Sequence, residues 1–132
     1  MLLLARIVLV VLAVYHLSVG AVSVSSHAAA ARAVARLYGV TSLEGSPQLR
    51  YAVKMLGLQA LALGALAGVA AWNPARHRDV IAVLAGLQAS RAVCRLILRH
   101  SLLETFGIPI RRNLLNATLL VIEAAILIAV LA

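Results

Sequence analysis

Between Leu2 and Val24 the sequence is apolar, with Arg6 as its one full charge. A run of that length matches the roughly 20 helical residues needed to cross the hydrocarbon core of a bilayer. Similar runs follow over 49–72, 80–98 and 114–132. The bilayer interior supplies no hydrogen bonds to a backbone, so each such run must satisfy its own amides as a helix. Four spans use most of the 132 residues, leave only short connections, and imply one membrane domain over 1–132. The fold expected is all-α: a multi-pass, antiparallel bundle of four transmembrane helices with a short interfacial helix in loop one.

Composition agrees, since 64% of the residues are hydrophobic and 12% charged, whereas soluble domains run near 45–50% and about 25%. That balance argues against disorder, a disulfide-stapled module and a catalytic domain outside the bilayer. The net charge of +8 would suggest nucleic acid in a soluble protein. Here most basic residues stand at the ends of apolar runs, where lipid phosphates lie, and the 4% aromatic content is too low for base stacking. Nucleic acid is therefore not an expected partner; the lipid bilayer is. Cys94 is the single cysteine, so no intrachain disulfide can form.

Local signals place the connections. Small residues around 28–31 imitate a signal-peptidase site, but the first run is read as a retained span. From Ser26 to Tyr38 an alanine-rich stretch carries Arg32 and Arg36 on one helical face, which fits a helix lying on the headgroups or a continuation of the first span. Ser46-Pro47 and Asn73-Pro74 each pair a capping side chain with a proline preset for a first helical turn. Ser101-Leu102-Leu103-Glu104 has capping-box spacing, and Gly107 and Pro109 read as stops. Basic residues near loops one and three (Arg32, Arg36, Arg50, Arg99, Arg111, Arg112) outnumber those near the termini and loop two (Arg6, Arg76, Arg78). By the positive-inside rule loops one and three face the cytoplasm.

Polar residues within the spans are the candidate site: His16 in the first, Lys54 and Gln59 in the second, Gln88, Arg91 and Arg95 in the third, Asn116 and Glu123 in the fourth. Such side chains are expensive in lipid and mark function or structural pairing. At 1.5 Å per residue, His16, Gln59, Gln88, Arg91 and Glu123 fall within about 5 Å of the midplane. Lys54, Arg95 and Asn116 form a layer about 8 to 11 Å toward loops one and three. Gln88, Arg91 and Arg95 share one helical stripe, as do Asn116 and Glu123, so the stripes are expected to converge with Arg91 paired to Glu123. Two uses remain open. One is a buried pair that fixes helix register. The other is a basic pocket for an anionic or quinone-like headgroup, with His16 and Glu123 exchanging protons.

Haem is disfavoured because His16 is the only histidine within a span. No metal or catalytic site is read. Arg91, Arg95 and Arg99 fit a snorkelled helix end better than a voltage sensor. Gly64 and Gly68 form a GxxxG pair, and Ala82, Gly86, Ser90 and Cys94 recur every fourth residue. Either set can pack inside the bundle or dock a second helix, and the latter stripe lies about 150° from the polar one.

Ala5-Arg6-Ile7, Leu37-Tyr38-Gly39-Val40, Leu49-Arg50-Tyr51-Ala52-Val53-Lys54, and Gly86-Leu87-Gln88 with Arg91 together resemble the small four-helix DoxX-like bacterial membrane proteins, over nearly the whole chain. The resemblance implies a bacterial inner (cytoplasmic) membrane location. One branch of that family is a membrane subunit of a quinone-reducing sulfur oxidoreductase, which implies a quinone-associated or complex-anchoring role; no active-site residue carries over. Three functions follow as expectations. The first is a non-catalytic subunit or scaffold of a larger membrane complex, built on other subunits or on self-association through the small-residue stripes. The second is a quinone- or lipid-binding protein. The third is a small dimeric transporter, although the essential glutamate of small multidrug transporters lies in their first helix and Glu123 is in the fourth here.

Overall fold

The structure is a computed structural model that describes residues 2–38 and 47–131. The described residues form α1 (Leu2–Ser25), α2 (His27–Tyr38), α3 (Pro47–Trp72), α4 (Arg78–Ile97), α5 (Arg99–Phe106) and α6 (Ile110–Ile128), with no strand among them. Three helices are long and apolar enough to cross a membrane: α1, the Arg50–Trp72 part of α3, and α4. The 19-residue α6 has comparable length but carries Arg111, Arg112 and Glu123.

The outer surface is built from large apolar side chains. Leu3, Val14, Leu56, Val69, Val83, Ile97 and Leu115 are all exposed, a patchwork too extensive for water and natural against lipid. The interior is dominated instead by small residues, with Ala5, Ala13, Ala67, Ala70, Ala85, Ala92, Ala117 and Ala124 buried around Leu9, Ile81 and Leu127. Lipid is as apolar as leucine, so close backbone approach across small residues, rather than bulk, holds such helices together.

The long helices pack as two pairs, α1 on α3 and α4 on α6, and the pairs meet less extensively through α3–α4 and α1–α6. The α1–α3 seam shows why Gly64 is a glycine: a Cβ there would sit 2.7 Å from Leu17 Cγ and 2.9 Å from the Leu17 amide nitrogen. At Gly57 a Cβ would lie 2.7 Å from Ser23 Cβ. Residue numbers rise along one helix as they fall along the other, so the pair is antiparallel. Gly68 is looser, its Cβ position 3.9 Å from that of Ala13. The GxxxG pair of α3 is thus turned toward α1 within the chain.

Several helix ends differ from the sequence expectation. Ser26 interrupts the first helix, its Oγ accepting the Ala29 amide at 3.2 Å, so α2 is a separate element. Asn73 does not cap α4. Its Oδ1 instead accepts the Arg76 amide at 3.2 Å and closes a local turn, the usual competitor of capping at asparagine. α4 starts later, behind His77, without a side-chain cap. Ser101 lies inside α5, which begins at Arg99, so the capping box is not used. Gly107 ends that helix in the left-handed region at φ 67, with its amide on Leu103 O at 2.9 Å and the Ile108 amide on Leu102 O at 3.3 Å, a glycine-specific termination. Pro109 then opens α6 with extended backbone, so this helix starts at Ile110 rather than near 114. The Ser46 cap and residues 39–46 of loop one lie outside the described residues.

Candidate functional site

The α4–α6 pair carries the polar stripe. On α4, Gln88, Arg91 and Arg95 recur at spacings that keep them on one face. The antiparallel α6 brings Glu123 to the level of Gln88 and Asn113 to the level of Arg95. Gln88 is buried and works as a two-ended connector. Its Nε2 donates to Glu123 Oε2, while its Oε1 accepts from Arg91 Nη1 at 3.3 Å. Arg91 and Glu123 are therefore joined through Gln88, which modifies the expected direct pair: an amide has the donor and the acceptor that separate a guanidinium from a carboxylate by one residue.

α1 closes the network from the other helix pair. Arg91 Nη1 lies 3.1 Å from His16 Nε2, and His16 Nδ1 lies 2.9 Å from Leu12 O. Arginine can only donate and a carbonyl can only accept, so this arrangement holds a neutral imidazole with its proton on Nδ1. Tyr15 stands edge-on to the His16 ring, with centroids 5.1 Å apart.

These side chains border a cavity of about 210 Å³ at the seam between the two helix pairs. Its wall is formed by α1, α4 and α6, with Arg95 and Asn116 extending the polar side and Val11, Leu119 and Leu120 providing an apolar one. Pockets for drug-sized ligands run about 300–1,000 Å³, so the space suits a ring or headgroup and not a whole lipid. Val11 and Leu119 are also exposed on the outer surface, which opens the cavity sideways among apolar side chains. The Asn116 Nδ2 atom is buried without a hydrogen-bond partner.

Of the residues expected at the site, His16, Gln88, Arg91, Arg95, Asn116 and Glu123 line this cavity. Lys54 and Gln59 do not join them; both are exposed on α3. The reason is the glycine seam, which turns the Gly57–Gly64 face of α3 onto α1 and leaves Gln59, about 200° from Gly57, on the outside. Lys54, near the start of α3, also stays at the surface. Asn113 was not foreseen. It is fully buried and exchanges two bonds with Arg95, accepting from Nη1 at 3.0 Å and donating to the Arg95 carbonyl at 2.8 Å. Its signal was a stripe position one turn before Asn116, hidden by starting the helix at 114. Tyr15 had no spacing signal at all.

The other small-residue stripe points away from this site. Ala82, Gly86, Ser90 and Cys94 are exposed on α4, and a Cβ at Gly86 would meet nothing within 4 Å. No family model, curated protein or solved structure matches the chain.

Proposed function

We propose that this chain is a non-catalytic integral membrane protein of four antiparallel spans, α6 included, whose α1–α4–α6 cavity holds the polar head of a membrane-dissolved ligand, a quinone or a lipid. The observation that carries this reading is the cavity itself: a polar network of His16, Gln88, Arg91 and Glu123 beside an apolar opening. A buried pair that served only to fix register would be packed shut, because unfilled space forfeits dispersion contacts. The inclusion of α6 as a span is supported by the same network. Glu123 reaches Gln88 and so is satisfied within the chain, while Arg111 and Arg112 stand at the first turn, where arginines reach headgroups. Native mass spectrometry of protein released into gentle detergent tests the reading. Wild type is expected to retain one isoprenoid quinone or lipid that Arg91→Gln loses while remaining folded. A wild-type chain that is always bare overturns it.

The exposed Ala82–Gly86–Ser90 stripe, with open space at Gly86, supports a second reading compatible with the first, in which α4 docks another membrane subunit or a second copy. Co-purifying subunits or a homodimer in the same spectra are its expected signature. The resemblance to DoxX-like proteins accords with both readings, and with placement in a bacterial inner membrane with loops one and three in the cytoplasm.

A further inference from the structure

Gln59 lies about 3 Å from the middle of the Arg50–Trp72 stretch of α3, at 1.5 Å per residue, and it is exposed on the outer side of the helix. It makes no hydrogen bond with any of the described residues. Its amide is also too deep to reach headgroups, because half of the hydrocarbon core is about 15 Å thick, well beyond the length of the side chain. A carboxamide turned into hydrocarbon without a partner costs free energy, and lipid tails offer it neither donor nor acceptor. A polar side chain facing outward at that depth therefore calls for a hydrogen-bonding group on another helix.

The residues around Gln59 form a seam of coiled-coil period. Ala52, Gln59 and Leu66 recur every seventh position, Met55, Ala62 and Val69 follow each of them by three, and all six are exposed. That is an a/d pattern with one polar a position at its centre, the arrangement in which a single buried amide sets register and the number of strands. The seam carries no full charge. Arg50 lies about 180° from Gln59 around the helix and Lys54 about 140°, so like charges stay apart when two copies of this face meet. We infer that α3 pairs with α3 of a second copy of this chain, Gln59 against Gln59 across a two-fold axis along the membrane normal. Two copies inserted with the same topology run parallel, and an isologous contact then sets each seam residue opposite itself. A carboxamide holds both donor and acceptor and so complements its own copy, which a guanidinium or a carboxylate does not. The surface is distinct from the Ala82–Gly86–Ser90 face of α4, and it leaves the cavity open, whose lining comes from α1, α4 and α6.

The test uses the full-length protein in dioleoylphosphatidylcholine vesicles, labelled with donor and acceptor dyes at Arg76→Cys in a Cys94→Ser background. Self-association is read as energy transfer over a series of protein-to-lipid dilutions. The chain with Gln59 intact is expected to dimerise. Gln59→Leu is expected to weaken the dimer about tenfold, the worth of a pair of interhelical hydrogen bonds. It should not lower the unfolding temperature of the dissociated chain in detergent, because the amide has no partner among the described residues. Gln59→Asn keeps an amide and should retain more of the association than Leu does. Oxidative cross-linking of single cysteines in the Cys94→Ser background checks the face. Ala62→Cys is expected to trap a disulfide dimer, and Ala65→Cys, equally exposed but about 120° from Gln59 around the helix, is not. A chain that stays monomeric at every dilution, a dimer as strong with Gln59→Leu as without it, or cross-links through Ser90→Cys of α4 in place of Ala62→Cys overturns this inference. Each of those results leaves the ligand reading of the cavity standing.

Discussion

At the residue scale, Gln88 is the member of the site on which the others depend. It hydrogen-bonds both the guanidinium and the carboxylate, and it is nearly fully buried, at 2% exposure. Gln88→Leu keeps the volume and the helix propensity but strands Arg91 on one side and Glu123 on the other. We expect it to destabilise the fold by about 1–3 kcal/mol, the cost of leaving buried polar groups unpaired, as read from thermal unfolding in detergent. Gln88→Glu, which keeps length but puts a second carboxylate against Glu123, should be worse than Leu. Much of this site was legible in the sequence because an ionisable or amide group inside an apolar run stands out by itself. The partner of each group was less legible. Arg91 and Glu123 are complementary on paper, yet nothing in the spacing said that an amide would stand between them. Lys54 and Gln59 met the same criterion of polarity at depth and lie elsewhere, since depth does not fix the rotation of a helix.

At the scale of elements, rotation is set by the glycines. Gly64 and Gly86 look alike in sequence, each with a small residue four positions away, but one is pressed against Leu17 and the other faces open space. Gly64→Val should force α1 and α3 apart at a cost of about 1–3 kcal/mol, as overpacking does. Gly86→Ala should leave the isolated chain unchanged or stabilise it by up to about 1 kcal/mol through helix propensity. Comparing the two unfolding temperatures in detergent checks the assignment of faces, and a large loss at Gly86 would show that this face is packed in solution. Helix existence was readable from hydropathy, whereas helix ends were not. Asn73-Pro74 and Ser101-Leu102-Leu103-Glu104 carry capping chemistry that the chain spends on a turn and on a helix interior. Capping side chains satisfy whichever amide is nearest, and the sequence alone does not say which one that is.

At the scale of the whole molecule, the two helix pairs are each closely packed and the seam between them is not, which is why a cavity forms where α1 faces α4 and α6. At one end Arg112 Nη2 on α6 donates to Arg36 O on α2, and at the other Arg78 Nη2 on α4 donates to Leu131 O just beyond α6, a bond within the α4–α6 pair. With four spans, residues 76 and 130 share one membrane face and residue 111 lies on the opposite one. In a Cys94→Ser background, single cysteines at Arg76 and Val130 should be labelled from outside intact cells, and one at Arg111 only after permeabilisation; labelling of 130 and 111 from the same side would remove α6 from the membrane. Between the two pairs, His16 of α1 meets the polar stripe of α4 and α6 through Arg91. Solid-state NMR of the protein in lipid bilayers, with labelled arginine and histidine, reads this directly as the dipolar coupling between the Arg91 guanidinium carbon and His16 Nε2. A measurable coupling is expected, in keeping with the 3.1 Å contact between Arg91 Nη1 and His16 Nε2. A spectrum with no measurable coupling between the two groups would contradict it.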